Sequence, residues 1–600
     1  MLTIFSVNSE TAKGSKYLLQ LLYSLKEISE KLIICVSNNI EIPLLNDIIT
    51  ISDLVFKYHS YIDINRWKDV LINKLQREEL VHFNQVLLIN DSMYGPLFSV
   101  KKIFEMSDSL MVDFWGLTAH GKIRNYFKDV DGETWPRFIQ PYFLVIRQPM
   151  LSSSVFIEYF RSLPLFESYE DASKGFEFVF TEIFAQKGYR WDVLFDTVEK
   201  EDPTGKFFES FILFDIYELV ANRGFPFIPK YCFDIDFSEM QIYNAGNDLR
   251  KTIEYVNANT EYDVSLIFDN LIQRKNLHDI ITHLQLFYTI DESSSINSFE
   301  GKAAVFSYLF YEDLFEYSIS KIKNVPESID IYIATDNRKK IRTIRKLVND
   351  IGIGTRCKIL LHKGKGRDLS ALLVTFHEHL MRYDVIGFIH DKKSSQMAYS
   401  TVGQSFNLNS WENMLNSRGF VNGVLQLFDQ YPLLGFLSPP MLLHSTYFHT
   451  GIDAWTLCKD EVKALAERIG IHANIDFSKN PVALGSVFWC RTKALRPLFE
   501  YQFNFYDFPD EPMPVDGTIS HAIERIFPYV AQSEGYYSAY IMNDKAASDQ
   551  LCFYKEALNL IMRELKGIEG LTVDTLLSTI RSLAKLKEGL NEEKWDCIKN

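Results

Sequence analysis

The feature that most constrains this chain is that its second half replays its first, and internal repeats decide architecture before any single motif does. A β-rich run, an amphipathic helical pattern and an apolar run open the chain at Thr3–Val7, Lys16–Ile28 and Leu32–Val36, and Lys302–Asn337 repeat that succession. "RYDVIGFIHDKKS" (Arg382–Ser394) answers "HFNQVLLINDSMY" (His82–Tyr94), which sets Asp391 against Asp91 at the end of a buried strand. "YPLLGFLSPP" (Tyr431–Pro440) then answers "SLMVDFWGLT" (Ser109–Thr118), and "VFWCRTKALRPLFEY" (Val487–Tyr501) answers "YFLVIRQPMLSSSVFIEY" (Tyr142–Tyr159). Each half next carries a helical pattern closing on Gly-Tyr before another strand, at Glu177–Phe195 and Glu524–Ile541. Short apolar strands alternating with helices predict parallel-rich sheets, whose strands end in polar residues where ligands gather. The expected architecture is α/β, with Rossmann-like domains over residues 1–200 and 301–550. Apolar residues at helical spacing predict a helical bridge over 201–300 and helices over 551–600.

At 600 residues, 47% of them hydrophobic, the chain has ample material for several cores and lacks the composition of a disordered protein. Its 63 basic against 78 acidic residues, a net charge of −15, argue against a broad nucleic-acid surface, which needs excess positive charge. Seven scattered cysteines, with no C-x-x-C pair, support neither a zinc ribbon nor a disulfide framework, so a reducing cytosol is expected. The opening "MLTIFSVNSETAKGS" reads as a first strand and not a secretion signal. No apolar run approaches the roughly 20 residues a membrane helix needs, so membrane contact is expected to be peripheral. In "TVDTLLSTIRSLAKLKEGL" the apolar side Val573, Leu576, Leu577, Ile580 and Leu583 backs onto Arg581, Lys585 and Lys587, a pattern that suits packing on the protein or an anionic surface.

The chain has no G-x-G-x-x-G opening its first βα turn, no P-loop, no G-x-S-x-G and no H-E-x-x-H, so dehydrogenase, ATPase, hydrolase and zincin readings lack their mechanical parts. Acids and bases at strand ends remain. Asp91 and Asp113 are candidates to hold Mg²⁺ or Mn²⁺ on a diphosphate, since hard cations share oxygen ligands with phosphates; the plainer reading is that Asn90–Asp91–Ser92 caps a turn. In the second half, "HDKKS" (His390–Ser394) offers lysines as a diphosphate cradle and only one acid for a metal. "GKGRDLS" (Gly364–Ser370) adds glycines for close approach, Arg367 to fork onto phosphate and Asp368 for a sugar hydroxyl or a helix cap. In "PVDGTISHAIERIFPYV" Asp516 precedes a helix carrying Ser520, His521 and Glu524 at neighbouring positions, and a carboxylate there suits a general base for an acceptor hydroxyl. An N-cap with ordinary surface charges is the plain alternative. Trp489 and Arg491 in "GSVFWCR" are candidates for contact with a sugar, Trp489 equally for core.

Together these parts suit a nucleotide-sugar glycosyltransferase. "GRDLSALL", "YDVIGFIHDKKS", "GFLSPP", "GSVFWCRTKALRPLF" and "VDGTISHAIERIFPYVAQSEGYYSAYI", preceded by "NDSMYGPLF" and "DFWGLT", resemble the rhamnan synthesis protein F family over about residues 80–545. The resemblance implies two tandem GT-A-like domains and an inverting transfer of L-rhamnose from dTDP-L-rhamnose to a lipid-linked, rhamnose-containing cell-surface polysaccharide at the inner face of the cell membrane. Its motifs fall on Gly366, Arg367, Asp368, His390, Asp391, Lys392, Lys393, Asp516, His521 and Glu524, and on Asn90, Asp91 and Asp113. We expect Asp516, His521, Glu524 and Asp91 to be catalytic and the others to hold the donor. Neither strand end, "INDS" nor "HDKKS", carries a D-x-D, so Mg²⁺ or Mn²⁺, if used, falls to Asp91 or Asp391. Other nucleotide sugars, a donor held between two domains, and a non-catalytic glycan-binding scaffold stay open at this point.

Overall fold

The computed structural model describes residues 1–565 apart from 122, 125–133, 198–210, 236–239, 241–243, 245, 292–298, 364, 394–399, 445–453, 474 and 515. The basic helix expected near 573–590 and Cys597 lie outside the described residues, as do Gly364 and Ser394. The chain divides into two units, Met1–Asn270 and Leu271–Leu571.

In unit 1 the continuous apolar runs form strands β1 (Leu2–Val7), β2 (Lys31–Ser37), β3 (Leu54–Tyr58), β4 (Gln85–Asn90), β5 (Phe114–Gly116), β6 (Phe143–Arg147) and β7 (Trp191–Val193). They make one sheet in the order β7-β5-β6-β4-β1-β2-β3, parallel except for β6, which runs against both β4 and β5. Helix α1 (Lys16–Ile28) makes the first crossover, burying Tyr17, Leu18, Leu21, Leu22 and Leu25 along one stripe.

Unit 2 has β8 (Phe287–Ile290), β9 (Ala303–Tyr308), β10 (Asp330–Thr335), β11 (Cys357–Leu361), β12 (Val385–His390), β13 (Leu434–Ser438), β14 (Phe488–Arg491) and β15 (Tyr537–Asn543). Their order is β8-β15-β13-β14-β12-β9-β10-β11, again parallel apart from one reversed strand, β14. Removing the edge strand β8 leaves the topology of unit 1 strand for strand, so the repeat legible in the sequence is a repeat of sheet order and direction. The fold class is therefore two tandem Rossmann-like α/β domains. Helix α2 (Arg338–Asp350) follows β10, its start capped by Asn337 accepting from the Lys340 N–H. Helix α3 (Ile519–Ser533) buries nearly its whole length and leads into β15. Helix α4 (Asp544–Leu565) follows that strand.

The segment expected as a separate bridge is shared between the units. It does hold helices, at Asp248–Asn259, Ser265–Arg274 and Leu277–His283. Ile228–Pro229, however, pair with Met93–Tyr94 in unit 1, and β8 joins the sheet of unit 2 beside β15. "FYTI" is short, and only its partner strand shows that it is β structure. Among the described residues no helix is long and apolar enough to cross a membrane.

The last residue of the reversed strand plays one part in both units. Arg491 donates to the carbonyls of Leu434, Phe428 and Tyr431, and Arg147 to those of Leu110 and Ser107. The Arg491 guanidinium thus ties the end of a helix to the start of β13, and that of Arg147 ties the end of a helix to the loop that leads into β5. Arg491 is committed to backbone and Trp489 is wholly buried in β14, its ring against Gly387; both are scaffold, which corrects their expected contact with a sugar. Charged donors to several carbonyls are costly to lose. Arg491→Met is expected to destabilise unit 2 by about 3 kcal/mol in urea denaturation.

Candidate functional site

Each sheet opens at the carboxyl ends of its parallel strands, and the acid at the end of the fourth strand closes back on the turn after the first. In unit 1 Asp91 Oδ2 accepts from the Ser9 N–H (2.9 Å) and hydroxyl (2.8 Å). In unit 2 Asp391 accepts from the N–H groups of Phe310 (3.0 Å) and Tyr311 (2.9 Å). The two carboxyls nonetheless shift in opposite directions. Burial pushes Asp391 up to about 6 against those N–H bonds and the charges of His390 and Lys340. Burial acts on Asp91 as well, but the Lys230 ammonium, 3.6 Å away, and the Ser9 and Asn8 donors hold it below the usual carboxylate range.

A second carboxylate faces the residue before each of these acids. Asp63 Oδ2 accepts from Asn90 (2.8 Å), while its Oδ1 accepts from Ser6 (2.5 Å) and Asn8 (3.0 Å). In unit 2 Asp368 Oδ2 lies 3.6 Å from His390 Nε2. Burial, reinforced by the charge of Asp91, pushes Asp63 up to about 6 despite its hydrogen bonds.

Unit 2 gathers the larger set. His390 is buried, its Nε2 3.0 Å from the Gly485 carbonyl and its Nδ1 3.1 Å from the Asp391 carbonyl. The Gly485 N–H donates to Glu524 Oε1, so one residue, through its carbonyl and its N–H, links the end of β12 to α3. A turn earlier on α3, His521 Nδ1 lies 2.8 Å from the Thr518 hydroxyl. Burial holds the His521 imidazole below its ordinary value, against the charges of Glu524 and Asp516, so the ring is neutral near pH 7. His390, Asp368, Gly485, Glu524 and His521 thus come together at one sheet edge.

The strained backbone of unit 2 lies at the same edge. Arg367, Thr456 and Ser486 have left-handed φ of 52°, 45° and 48°, a conformation costly for residues with a Cβ and held only where the surroundings fix it. Gly366 (φ 78°) could carry no side chain, since a Cβ would meet the Phe508 Cβ at 2.6 Å. Arg367 is held bidentately by Glu511 (2.7 and 2.9 Å), and Lys365 pairs with Asp510 (2.7 Å). Lys392 lies 4.1 Å over the Phe406 ring and Lys393 5.3 Å over Tyr311 while pairing with Asp313, so both lysines stand at the end of β12.

Two expected residues are placed otherwise. Asp113 precedes β5 and is level with Gln85: its carbonyl bonds the Arg147 N–H, and Arg147 pairs with Gln85. It therefore sits at the opposite edge from Asp91, roughly 20 Å away for six residues of strand, and accepts from the Arg190 N–H, which removes it from the donor set. Asp516 is locked rather than poised. It accepts from the Thr456 hydroxyl, the Leu457 N–H (3.2 Å) and the Cys458 thiol (3.0 Å), with Arg525 at 3.3 Å. Burial alone would raise this carboxyl, but those four partners draw it down to about 2. Arg525, itself buried, also reaches the carbonyls of Ala454 and His521.

A divalent metal does not fit the two acids expected to hold one. Both oxygens of Asp391 accept from backbone N–H groups, and Asp91 faces an ammonium. Among the described residues no three of His, Cys, Asp or Glu converge as ligands.

Asp63, Lys230, Gly485, Glu511 and Arg525 were not legible as site residues in the sequence. Glu177 was within reach, because it stands eleven residues before Gly188 as Glu524 does before Gly535. Burial pushes its carboxyl up to about 7 against one bond from Ser173.

A carboxylate drawn from the usual 3.8 to about 2 stabilises the fold above pH 4 and loses that contribution as pH falls towards 2. Asp516→Asn is therefore expected to lower the stability of unit 2 by about 2 kcal/mol at pH 7, with the gap from wild type closing in urea titrations between pH 4 and pH 2.

Comparison with known proteins adds family to geometry. The chain is 27% identical over 235 residues to the uncharacterized protein WxcX of two Xanthomonas campestris pv. campestris strains, B100 and ATCC 33913, a match covering 39% of this chain and 32% of each relative. The chain thus spans about a third of the length of the curated relatives it matches. Among solved structures, the glycosyltransferase GlyE of Streptococcus pneumoniae TIGR4 aligns over 66% of this chain and 86% of its own, at 11% identity and a TM-score of 0.22, too low to carry an argument. The sequence matches the family described as rhamnan synthesis protein F over residues 33–536, through both sheets. With most of its length inside that match, the chain belongs to the rhamnan synthesis protein F family.

Proposed function

We propose that this protein is a glycosyltransferase of polysaccharide synthesis whose catalytic site is the mouth of unit 2. The observation that carries the reading is the linkage of Asp368, His390, Gly485 and Glu524 at the carboxyl edge of β12, with His521 one turn before Glu524 on α3, in a chain of a rhamnan synthesis family. A family named for rhamnan synthesis is in keeping with L-rhamnose as the sugar moved, and in this reading the donor is dTDP-L-rhamnose and the acceptor a lipid-linked glycan at the inner membrane face.

In this reading the reaction inverts the sugar's configuration. The acceptor hydroxyl attacks the anomeric carbon, the bond to the diphosphate breaks with its electron pair leaving on phosphate, and the hydroxyl proton passes to a base. A neutral imidazole is such a base. Thr518 engages His521 Nδ1, leaving Nε2 to take the proton, and Glu524 one turn along compensates the imidazolium that forms. Lys392 and Lys393 supply positive charge where the leaving diphosphate becomes more negative. Gly366 and Arg367 line the donor side, and Asp368, held beside His390, accepts from a sugar hydroxyl. Asp391 keeps the turn after β9 in place, and Asp516, fastened by Arg525, positions the start of α3.

The test is turnover of dTDP-L-rhamnose against UDP-glucose, UDP-galactose and UDP-N-acetylglucosamine with a rhamnose-terminated acceptor. His521→Ala and Glu524→Gln are expected to lower kcat by at least about 100-fold, while Asp113→Asn leaves it unchanged. Because burial lowers the His521 pKa, the acid limb of kcat/KM is expected below pH 6.5, and the limb disappears in His521→Ala. Loss confined to Asp91→Asn would move catalysis to unit 1, and a folded wild type that turns over no donor would leave the scaffold reading.

A further inference from the structure

The mouths of the two units differ most plainly at one position. Nineteen residues before the Gly-Tyr pair, unit 2 has Asp516 and unit 1 has Tyr169. Tyr169 begins a helical turn capped by Ser168. Its ring lies 5.3 Å from that of Tyr61 at 54°, and its hydroxyl donates to the Tyr61 carbonyl (3.1 Å). Both tyrosines are 52% exposed, so two large rings are fixed against each other with half their surface in water. Such a pair is a rigid apolar platform that loses little conformational entropy when something stacks on it.

The platform adjoins the polar end of the sheet. Asp63 is two residues from Tyr61, and the charges of Asp63, Asp91 and Arg66 all act on the Tyr169 hydroxyl. Asp63 is bonded to Asn90, which in turn accepts from the exposed Ser92 hydroxyl (2.6 Å). The cations of this network are already engaged. Arg66 donates to the Ser60 and Val7 carbonyls and the Ser6 hydroxyl, and Lys230 lies against Tyr17 and Asp91. An aromatic face beside a carboxylate, an amide and a hydroxyl, with its positive charges spent internally, suits a neutral polyhydroxylated ring better than a diphosphate.

We propose that unit 1 binds a sugar ring of a glycan chain on the Tyr61–Tyr169 pair, C–H face against the rings and hydroxyls towards Asp63, Asn90 and Ser92. This makes unit 1 a glycan-holding module, and only the choice of rhamnose as the first probe rests on the function proposed above. The full chain is titrated with a rhamnose trisaccharide, maltotriose and dTDP, following saturation-transfer NMR and hydrogen exchange of residues 58–66 and 166–177. A trisaccharide is expected to protect both segments, with Tyr61→Ala and Tyr169→Ala weakening its binding at least tenfold and Tyr169→Trp restoring it. Unaltered affinity and protection in the double alanine variant overturn the proposal, as does protection by dTDP alone, which would make this a nucleotide site. A wild type that transfers sugar yet shows no protection by either trisaccharide overturns it while leaving the transferase reading intact. Protection in a wild type that turns over no donor supports it and defeats only that reading.

Discussion

The arrangement on which both mouths depend is a carboxylate at the end of the fourth strand accepting from the backbone just beyond the first. Asp91 and Asp391 each fasten two neighbouring parallel strands at the point where their hydrogen-bond ladder ends and the chains diverge. Without that bond the part-buried N–H groups of the first turn would lose their carboxylate partner, and with it a charge-assisted hydrogen bond. Everything proposed for the sites lies beside this fastening: Asn90 and Asp63 in unit 1, His390 and Asp368 in unit 2.

The same fastening is tuned differently in the two units. Lys230 comes from the segment whose Ile228–Pro229 pair with Met93–Tyr94, and it sets an ammonium against Asp91. The lysine whose charge acts on Asp391, Lys340, is engaged with the Phe310 carbonyl and Asp336. One acid is held ionised and the other raised by burial, although both sit at the same place in the same topology. Equivalent position in a repeated fold fixes geometry, and the neighbouring charges decide the chemistry.

Much of the architecture was legible in the sequence because it was written twice. Runs such as "VIGFIH" and "VLLIN" are buried on both faces of a parallel sheet and read as strands from their apolar continuity alone. The Gly-Tyr ending marked two equivalent helices. Part of the second-half site was legible as short polar stretches, of which His390 and Glu524 are joined through Gly485. What failed was orientation. Asp113 sits beside an apolar strand just as Asp91 does, but before it instead of after it, and a stretch of sequence carries no sheet edge until strand direction is known. Asp516 has the placement of a base, yet its locks join Arg525 of its own segment to Thr456 and Cys458, about sixty residues earlier in the chain. The partition of residues 201–300 was hidden for a related reason: β8 becomes a strand only through its pairing with β15.

The reversed strand in each sheet has a consequence for how such proteins diversify. A strand that runs backwards begins where its neighbours finish, so the chain entering it is delivered to the mouth without altering any other crossover. In unit 1 that entry is residues 117–142, between β5 and β6, and in unit 2 it is residues 439–487, between β13 and β14, which near its end carries Gly485, bonded to His390 and Glu524. Because Arg147 and Arg491 secure the far end of the reversed strand, this entry can lengthen or change its residues while the register of the sheet stays fixed. Specificity can then drift in one contiguous insertion, independently of the framework that keeps the two halves alike.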